Sequence, residues 1–181
     1  MDLTSFAEAV HETSVAEWMR SSLKAMPVVE SIHVLSAAIV FGTILIVDLR
    51  LLGFPSTSRP FTRVSGELMR ATWVAFVISV ITGVLMFAPN SITYIGNTAF
   101  ILKMFAILAA GLNMAVFELV TARSVASWDK DTMPPTAARV AGVLSLVIWT
   151  SVIFIARWIG FTKGYDFAIP ENVDLEFNFP G

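Results

Sequence analysis

The stretch PVVESIHVLSAAIVFGTILIVDLRLLG, residues 27–53, decides the fold class of this chain. It is apolar, and it is longer than the roughly 20 residues that a helix needs to cross the hydrocarbon core of a bilayer. It nevertheless carries Glu30 and His33 near one end and Asp48 and Arg50 near the other. Ionisable side chains are costly inside a membrane and usually face protein, water or a ligand. The stretch therefore predicts a transmembrane helix whose polar groups mark where any chemistry lies.

The composition is typical of a membrane protein. Of the 181 residues, 56% are hydrophobic and 14% are charged, whereas soluble domains carry about a quarter charged residues. Cysteine is absent, which excludes disulfides, thiolate metal sites and nucleophilic thiols. The net charge is −2 and no basic run is present, so no nucleic-acid partner is expected. A cleaved signal peptide is not expected either, because the N-terminus has no basic start and no continuous apolar segment.

Four apolar segments predict an all-α fold, an integral membrane four-helix bundle over residues 27–160. The N-terminal segment, residues 1–26, has the apolar faces of short interfacial helices, and residues 161–181 are expected to form an irregular C-terminal tail. Pro134 and Pro135 predict the start of the fourth helix, and Thr98 is the predicted N-cap of the third. The spans are expected at about residues 28–52, 71–88, 99–120 and 138–160.

Basic residues predict the orientation of the bundle. Seven of them flank the first and third connections, whereas the second connection, residues 89–98, carries no charge. Because cytoplasmic loops are enriched in Lys and Arg, the first and third connections are predicted to be cytoplasmic and both termini periplasmic. The chain is thus expected to be a multi-pass protein of the bacterial inner membrane, in contact with the lipid bilayer.

Polar side chains of several segments are predicted to share one layer near the periplasmic side. At 1.5 Å rise per residue, the histidine and the two basic residues of this layer lie roughly 10 Å outward of their helix centres. The glutamate lies one turn above the histidine, and two further members come from the uncharged second connection. The candidate binding residues are His33, Glu30, Lys103, Arg157, Tyr94 and Asn97.

The cytoplasmic end of the bundle has a different interpretation. Asp48 and Arg50 are expected to form a charge pair or an anchor at this end. In the third span, small residues predict close packing between helices. These residues are Ala106, Ala109, Ala110 and Gly111.

The outer layer has structural and ligand-binding interpretations. In the structural one, His33 hydrogen-bonds across helices while Lys103 and Arg157 extend to lipid head groups. Alternatively, His33 holds haem b, with Lys103 and Arg157 near the propionates, or a quinone or another small polar head group binds beside this single buried histidine. The other histidine, His11, lies in the surface segment. A second haem ligand would have to be His11 folded inward, a methionine, or a group from a second subunit.

The motifs also carry a family resemblance. The first span reads P-x-x-E-x-x-H-V-L, then F-G and V-D-L-R-L-L-G, and the fourth ends R-W-I-G at residues 157–160. On these motifs the chain resembles, over nearly its whole length, small four-span bacterial membrane proteins known only as a domain of unknown function. More distantly it is similar to the membrane domain of copper-resistance D-type proteins, which implies copper handling or haem binding. It departs from such proteins at Glu118, where they often carry a histidine. Further matches are Thr82, Gly83, Tyr94, Asn97, Phe100, Lys103 and Asn113.

Two functions remain open. No P-loop, dinucleotide, metalloprotease or Ser-His-Asp signature is present, so catalytic activity of the chain itself is not expected. The first function is an accessory subunit of a membrane complex with a redox role in electron transport, binding haem b or a quinone near His33. The second is a structural or assembly subunit without a ligand, which packs against a larger complex or against copies of itself.

Overall fold

The computed structural model describes residues 2–54, 60–129 and 134–162, and every secondary-structure element within these ranges is helical. Two short helices come first, and four long helices follow with two further short ones between them. The elements are α1 (Leu3–His11), α2 (Ser14–Ser21), α3 (Ala25–Leu51), α4 (Phe61–Phe87), α5 (Ser91–Ile95), α6 (Thr98–Val116), α7 (Val125–Trp128) and α8 (Thr136–Thr162).

The four long helices are long and apolar enough to cross a membrane. The most apolar part of each has a mean hydropathy between 2.0 and 2.2. A helix of 27 residues, such as α3, is about 40 Å long and exceeds the roughly 30 Å thickness of the hydrocarbon core. Large apolar side chains such as Phe105 and Leu108 face outward, 65% and 69% exposed, as contact with lipid requires. The predicted all-α membrane helix bundle is therefore confirmed.

The ends of the helices differ from the ends of the predicted spans. The helix α4 begins at Phe61, directly after Pro60 and well before the predicted span at residue 71. The difference arises because the polar residues that precede the apolar run are also helical. The helix α6 ends at Val116 and continues into a π-helical turn at Phe117–Thr121. Its N-cap is Asn97, whose side chain accepts a hydrogen bond from the backbone N–H of Phe100, so the assignment of Thr98 as the cap is wrong. From residue 163 onward, the expected C-terminal tail lies outside the residues that the structure describes.

The long helices pack in the spatial order α4, α3, α8, α6. The close approach of α3 and α8 requires Gly142, because a Cβ there would come within 3.2 Å of the Leu51 Cβ. The helices α4 and α6 face each other across the bundle and meet through aromatic rings near their ends. Phe87 stacks on Phe100 with ring centroids 5.6 Å apart. At the other end, Phe61 contacts Phe117 with centroids 6.0 Å apart.

The helices α1 and α2 cover the end of the bundle that we call the outer end. Ala7 is fully buried, and its carbonyl oxygen accepts a 2.7 Å hydrogen bond from the Ser91 hydroxyl at the start of α5. Met19 on α2 packs against Ala25 and Val29 of α3. The N-terminal segment is therefore attached to the bundle by its own buried side chains. The opposite end, at α7, is the inner end.

Candidate functional site

His33 lies in the outer part of α3 and contacts α4. Its Nδ1 atom is 3.0 Å from the carbonyl oxygen of Ser79 and 2.9 Å from the hydroxyl oxygen of Thr82. The next residue of α4, Gly83, makes room for the half-buried imidazole, since a Cβ at this position would come within 3.3 Å of the Cε1 atom. The contact between α3 and α4 thus determines both the position and the orientation of the ring.

The hydrogen bonds of His33 place the ring proton on Nδ1. The carbonyl oxygen of Ser79 can only accept a hydrogen bond. The hydroxyl of Thr82 donates its hydrogen to the carbonyl oxygen of Ile78, 2.7 Å away, so it acts as an acceptor toward the imidazole. Nδ1 therefore carries the hydrogen, and Nε2 of the neutral ring keeps its lone pair. Within the described part of the chain no side chain or backbone group hydrogen-bonds to Nε2, which can accept a proton donor or ligate a metal.

Lys103 brings positive charge to this region from α6. Its charge acts electrostatically on His33, and its Nζ atom lies 4.9 Å from the centroid of the Phe100 ring. Phe100 stacks on Tyr94 and Phe87 with centroid distances of 5.0 Å and 5.6 Å. We call these three rings the outer stack. The outer end of the bundle thus combines an imidazole acceptor, an ammonium group and flat apolar rings.

Asn97 has a structural position at the start of α6. Its side-chain oxygen accepts the backbone N–H of Phe100 at 3.0 Å. Its Nδ2 donates to both the carbonyl and hydroxyl oxygens of Thr162, each at 3.1 Å. Asn97 therefore caps one long helix and connects it to the end of another.

Glu30 and Arg157 lie on the surface of the bundle. Arg157 is exposed, and its guanidinium carbon lies 5.3 Å from the centroid of the Phe161 ring. Glu30 is exposed beside a shallow groove on α3, although its charge still acts on His33. The predicted layer thus separates into a surface pair and an interior group. The interior group consists of His33, Lys103, Tyr94 and Asn97.

A cavity of 470 Å³ lies inward of His33, between α4 and α6 and against α3 and α8. Its walls are mostly apolar and include aromatic, methionine and small side chains. Its polar lining residues include Asp48 from α3 and Ser145 from the neighbouring helix α8, together with Thr62, Ser65, Thr72 and Asn113. Among the apolar lining residues are Met69, Trp73, Phe76, Gly111, Met114 and Trp149.

Asp48 is the charged residue of the cavity wall. It is only 6% exposed, and Ser145 of α8 is a polar neighbour in the cavity wall. Its Oδ2 atom has no hydrogen-bond partner among the residues that the structure describes. The expected pair with Arg50 is wrong, because the Arg50 guanidinium donates to the carbonyl oxygen of Asp129 at 3.3 Å. Residues two apart on a helix point in different directions, which explains why the two charges do not meet.

Aromatic rings close the inner end of the cavity. Phe61 packs against Trp128 with centroids 5.3 Å apart and against Phe117. The carboxylate of Asp129 accepts hydrogen bonds from the backbone N–H and the hydroxyl of Thr62, at 2.8 Å and 3.0 Å. These contacts tie the start of α4 to the segment after α6. The cavity is thus bounded by ring contacts at this end.

This cavity is not among the features predicted from the sequence. The prediction that the small residues of the third span mark close helix packing is wrong at Gly111, where a Cβ would meet no atom within 4 Å. Two signals could have indicated the cavity. Ala141, Ser145 and Trp149 recur every fourth residue on α8, and Asp48 lies 15 residues after His33, on the same face of α3.

Comparison with known proteins gives one match. The model of a family of unknown function, DUF6644, matches residues 10–162, which include His33, the outer stack and the cavity. No curated protein and no solved structure matches the chain. Over residues 2–54, 60–129 and 134–162, no group of three or more His, Asp or Glu side chains is placed to hold a metal ion.

Proposed function

We propose that this chain, which belongs to the DUF6644 family of unknown function, is a membrane subunit that binds a quinone through His33. The observation that carries the proposal is the hydrogen-bonding state of this imidazole. Because α4 takes the Nδ1 hydrogen, Nε2 of this half-buried ring is an acceptor on an apolar helix. A quinol, which has two hydroxyl donors on an apolar ring, supplies the matching group.

The surroundings of His33 suit both redox forms of such a molecule. The hydroxyl of a quinol donates to Nε2, whereas the carbonyl oxygen of an oxidised quinone accepts from the Lys103 ammonium group. The outer stack offers flat rings, which pack well against another ring. The isoprenoid tail of a quinone is as apolar as the surface of the surrounding helices. The residues proposed to bind are His33 and Lys103, with Tyr94 contributing to the ring wall.

Haem b is the competing ligand, and the chain fits it less well. Nε2 of His33 is a suitable axial ligand, since ligating histidines commonly donate their other N–H to a carbonyl oxygen. The second histidine does not complete the pair, because both ring nitrogens of His11 lie 3.3 Å from the Arg20 guanidinium on the outer surface. Arg157, the expected partner of a propionate, faces outward. A haem would therefore need another axial group, whereas a quinone does not.

A structural role in a complex is the second candidate, and the position of Glu30 favours it. This carboxylate is exposed on the outer part of α3, next to a shallow groove formed by Pro27, Ser31 and Val34. A charge on the lipid-facing side of a span is costly unless it reaches the interface or a partner. A basic residue of a larger complex or of a second copy would pair with it. Stable co-purification of a partner that Glu30→Gln releases would support this role.

The proposed location is the inner membrane of a bacterium. In this orientation the outer end, with α1 and α2, faces the periplasm and α7 faces the cytoplasm. The distribution of Lys and Arg supports it, because the connection containing α5 has no charged residue. The quinone would then bind in the periplasmic half of the membrane.

A binding titration tests the quinone proposal. Purified protein in detergent is titrated with decylubiquinol, and His33→Ala is compared with the matched variant His11→Ala. Loss of a buried hydrogen-bond acceptor is expected to weaken binding about tenfold in His33→Ala, while His11→Ala binds like the native chain. An absorption spectrum of the same preparation tests the competing ligand. A Soret band that is lost in His33→Ala would show that the ligand is haem and not quinone. Absence of saturable quinol binding would contradict the proposal.

A further inference from the structure

We propose that the cavity between α4 and α6 binds a lipophilic organic cation, with Asp48 as its counter-charge. This site is distinct from the quinone site proposed at His33. At 1.5 Å per residue, Asp48 lies about 22 Å along α3 from that histidine. The inference therefore does not depend on whether a quinone binds.

The charge of the cavity wall indicates a cation. Asp48 is buried, and no described residue of the cavity wall is basic. The nearest basic residue in sequence, Arg50, directs its guanidinium to the Asp129 carbonyl, and Lys103 belongs to the outer end. A carboxylate removed from water is costly unless a partner compensates it. An organic cation in the cavity would provide that partner.

The apolar wall indicates that the cation is lipophilic. Trp73, Phe76 and Trp149 line the cavity together with Met69 and Met114. Aromatic faces attract cations, and this attraction strengthens when water is excluded. Methionine side chains are polarizable and adapt to irregular ligands. A volume of 470 Å³ lies within the range of sites that hold drug-sized molecules.

The gap between α4 and α6 provides access from the bilayer. Trp73 lines the cavity and is 50% exposed, so the cavity wall is continuous with the outer surface of α4. On the facing helix, Gly111 is exposed and has open space where a Cβ would lie. A cation dissolved in the membrane can thus enter between these two helices.

Binding of tetraphenylphosphonium to the full chain in detergent tests the inference. Saturable binding is expected, with quenching of tryptophan fluorescence because Trp73 and Trp149 line the site. Asp48→Asn is expected to weaken binding about tenfold or more, whereas Glu12→Gln, which changes an exposed carboxylate on α1's C-cap, leaves it unchanged. Triphenylphosphine oxide, a neutral molecule of similar shape, is expected to bind weakly and equally to the native chain and Asp48→Asn.

A second pair of variants tests the site without altering its charge. Gly111→Phe is expected to fill the cavity and abolish phosphonium binding, while Gly160→Phe, at another position with open space, leaves it intact. Equal binding by the native chain and Asp48→Asn would overturn the inference, as would undiminished binding by Gly111→Phe. His33→Ala is expected to bind the cation normally, so failure of the quinone proposal and failure of this one give different results.

Discussion

Two polar residues on α3 have opposite hydrogen-bonding situations. His33 has its Nδ1 hydrogen bound by α4 and its Nε2 lone pair available. Asp48, on the same face about 22 Å away along the helix, has Ser145 as a neighbour and an Oδ2 atom without a described partner. One is an acceptor in a neutral ring and the other a buried carboxyl group. Their ligands should therefore differ in chemistry.

The fit between His33 and α4 predicts the effect of a single methyl group. In Gly83→Ala, the new Cβ would lie within 3.3 Å of the Cε1 atom of His33, so the ring must move. Overpacking of this kind costs about 1–3 kcal/mol, and displacement of Nε2 should lower quinol affinity several-fold. The measurement is a decylubiquinol titration of the variant.

Gly160→Ala provides the control, because a Cβ at Gly160 meets no atom within 4 Å. This variant should keep native affinity. If Gly83→Ala also binds quinol with native affinity, the orientation of the His33 ring is not what determines binding.

At the scale of single elements, polar side chains determine how α6 is placed. Asn97 at its start bonds to Thr162, and the Nδ2 of Asn113 donates to the carbonyl oxygen of Ala141 at 3.1 Å. Both amides thus connect α6 to α8. Since these amides hold α6 on that side, its other side is free to face α4 across the cavity.

Removal of the first of these amides should loosen the α6–α8 pair. Asn97→Ala loses the cap of α6 and the bonds to Thr162, and the expected decrease in the free energy of unfolding is about 1–2 kcal/mol. Thermal unfolding in detergent measures it. Asn90→Ala is the matched control, because the Asn90 side chain makes no capping hydrogen bond. Equal midpoints for both variants would show that the amide of Asn97 contributes nothing.

The helices could be predicted from the sequence, but the contacts between them could not. Long apolar runs and the pair Pro134–Pro135 were sufficient to predict four spans and the start of α8, because length and hydropathy are local properties. The N-cap is Asn97 and not Thr98, a difference of one residue that depends on where the backbone becomes helical. The separation of Asp48 from Arg50 and the open space at Gly111 depend on which helices are neighbours. No local pattern contains that information.

At the scale of the whole molecule, ring contacts and helical turns close both ends of the bundle around the cavity. The outer stack and the N-terminal helices close one end, and the rings of Phe61, Phe117 and Trp128 close the other. Between them, each of the four long helices exposes mostly apolar side chains along its most apolar part. Lipid-soluble ligands that enter from the side therefore suit the architecture better than soluble ones.

The proposed orientation can be tested because the chain has no cysteine. Leu23→Cys, at a position that is 95% exposed near α3, should react with a membrane-impermeant maleimide. The reagent is added to cells whose outer membrane has been permeabilised and whose inner membrane is intact. Ser127→Cys, exposed on α7 at the inner end, should react only after the inner membrane is broken. The reverse labelling pattern would show that the chain has the opposite orientation in the membrane.

Nitrogen NMR of the chain labelled with ¹⁵N only at histidine measures the protonation of His33 directly. His33 and His11 are its two histidines, and His11→Ala assigns their signals. Neutral His33 is expected to carry its hydrogen on Nδ1 and none on Nε2, and decylubiquinol is expected to shift the Nε2 signal. A hydrogen on Nε2 in the free protein, or a spectrum of His33 unchanged at saturating quinol, would contradict this expectation.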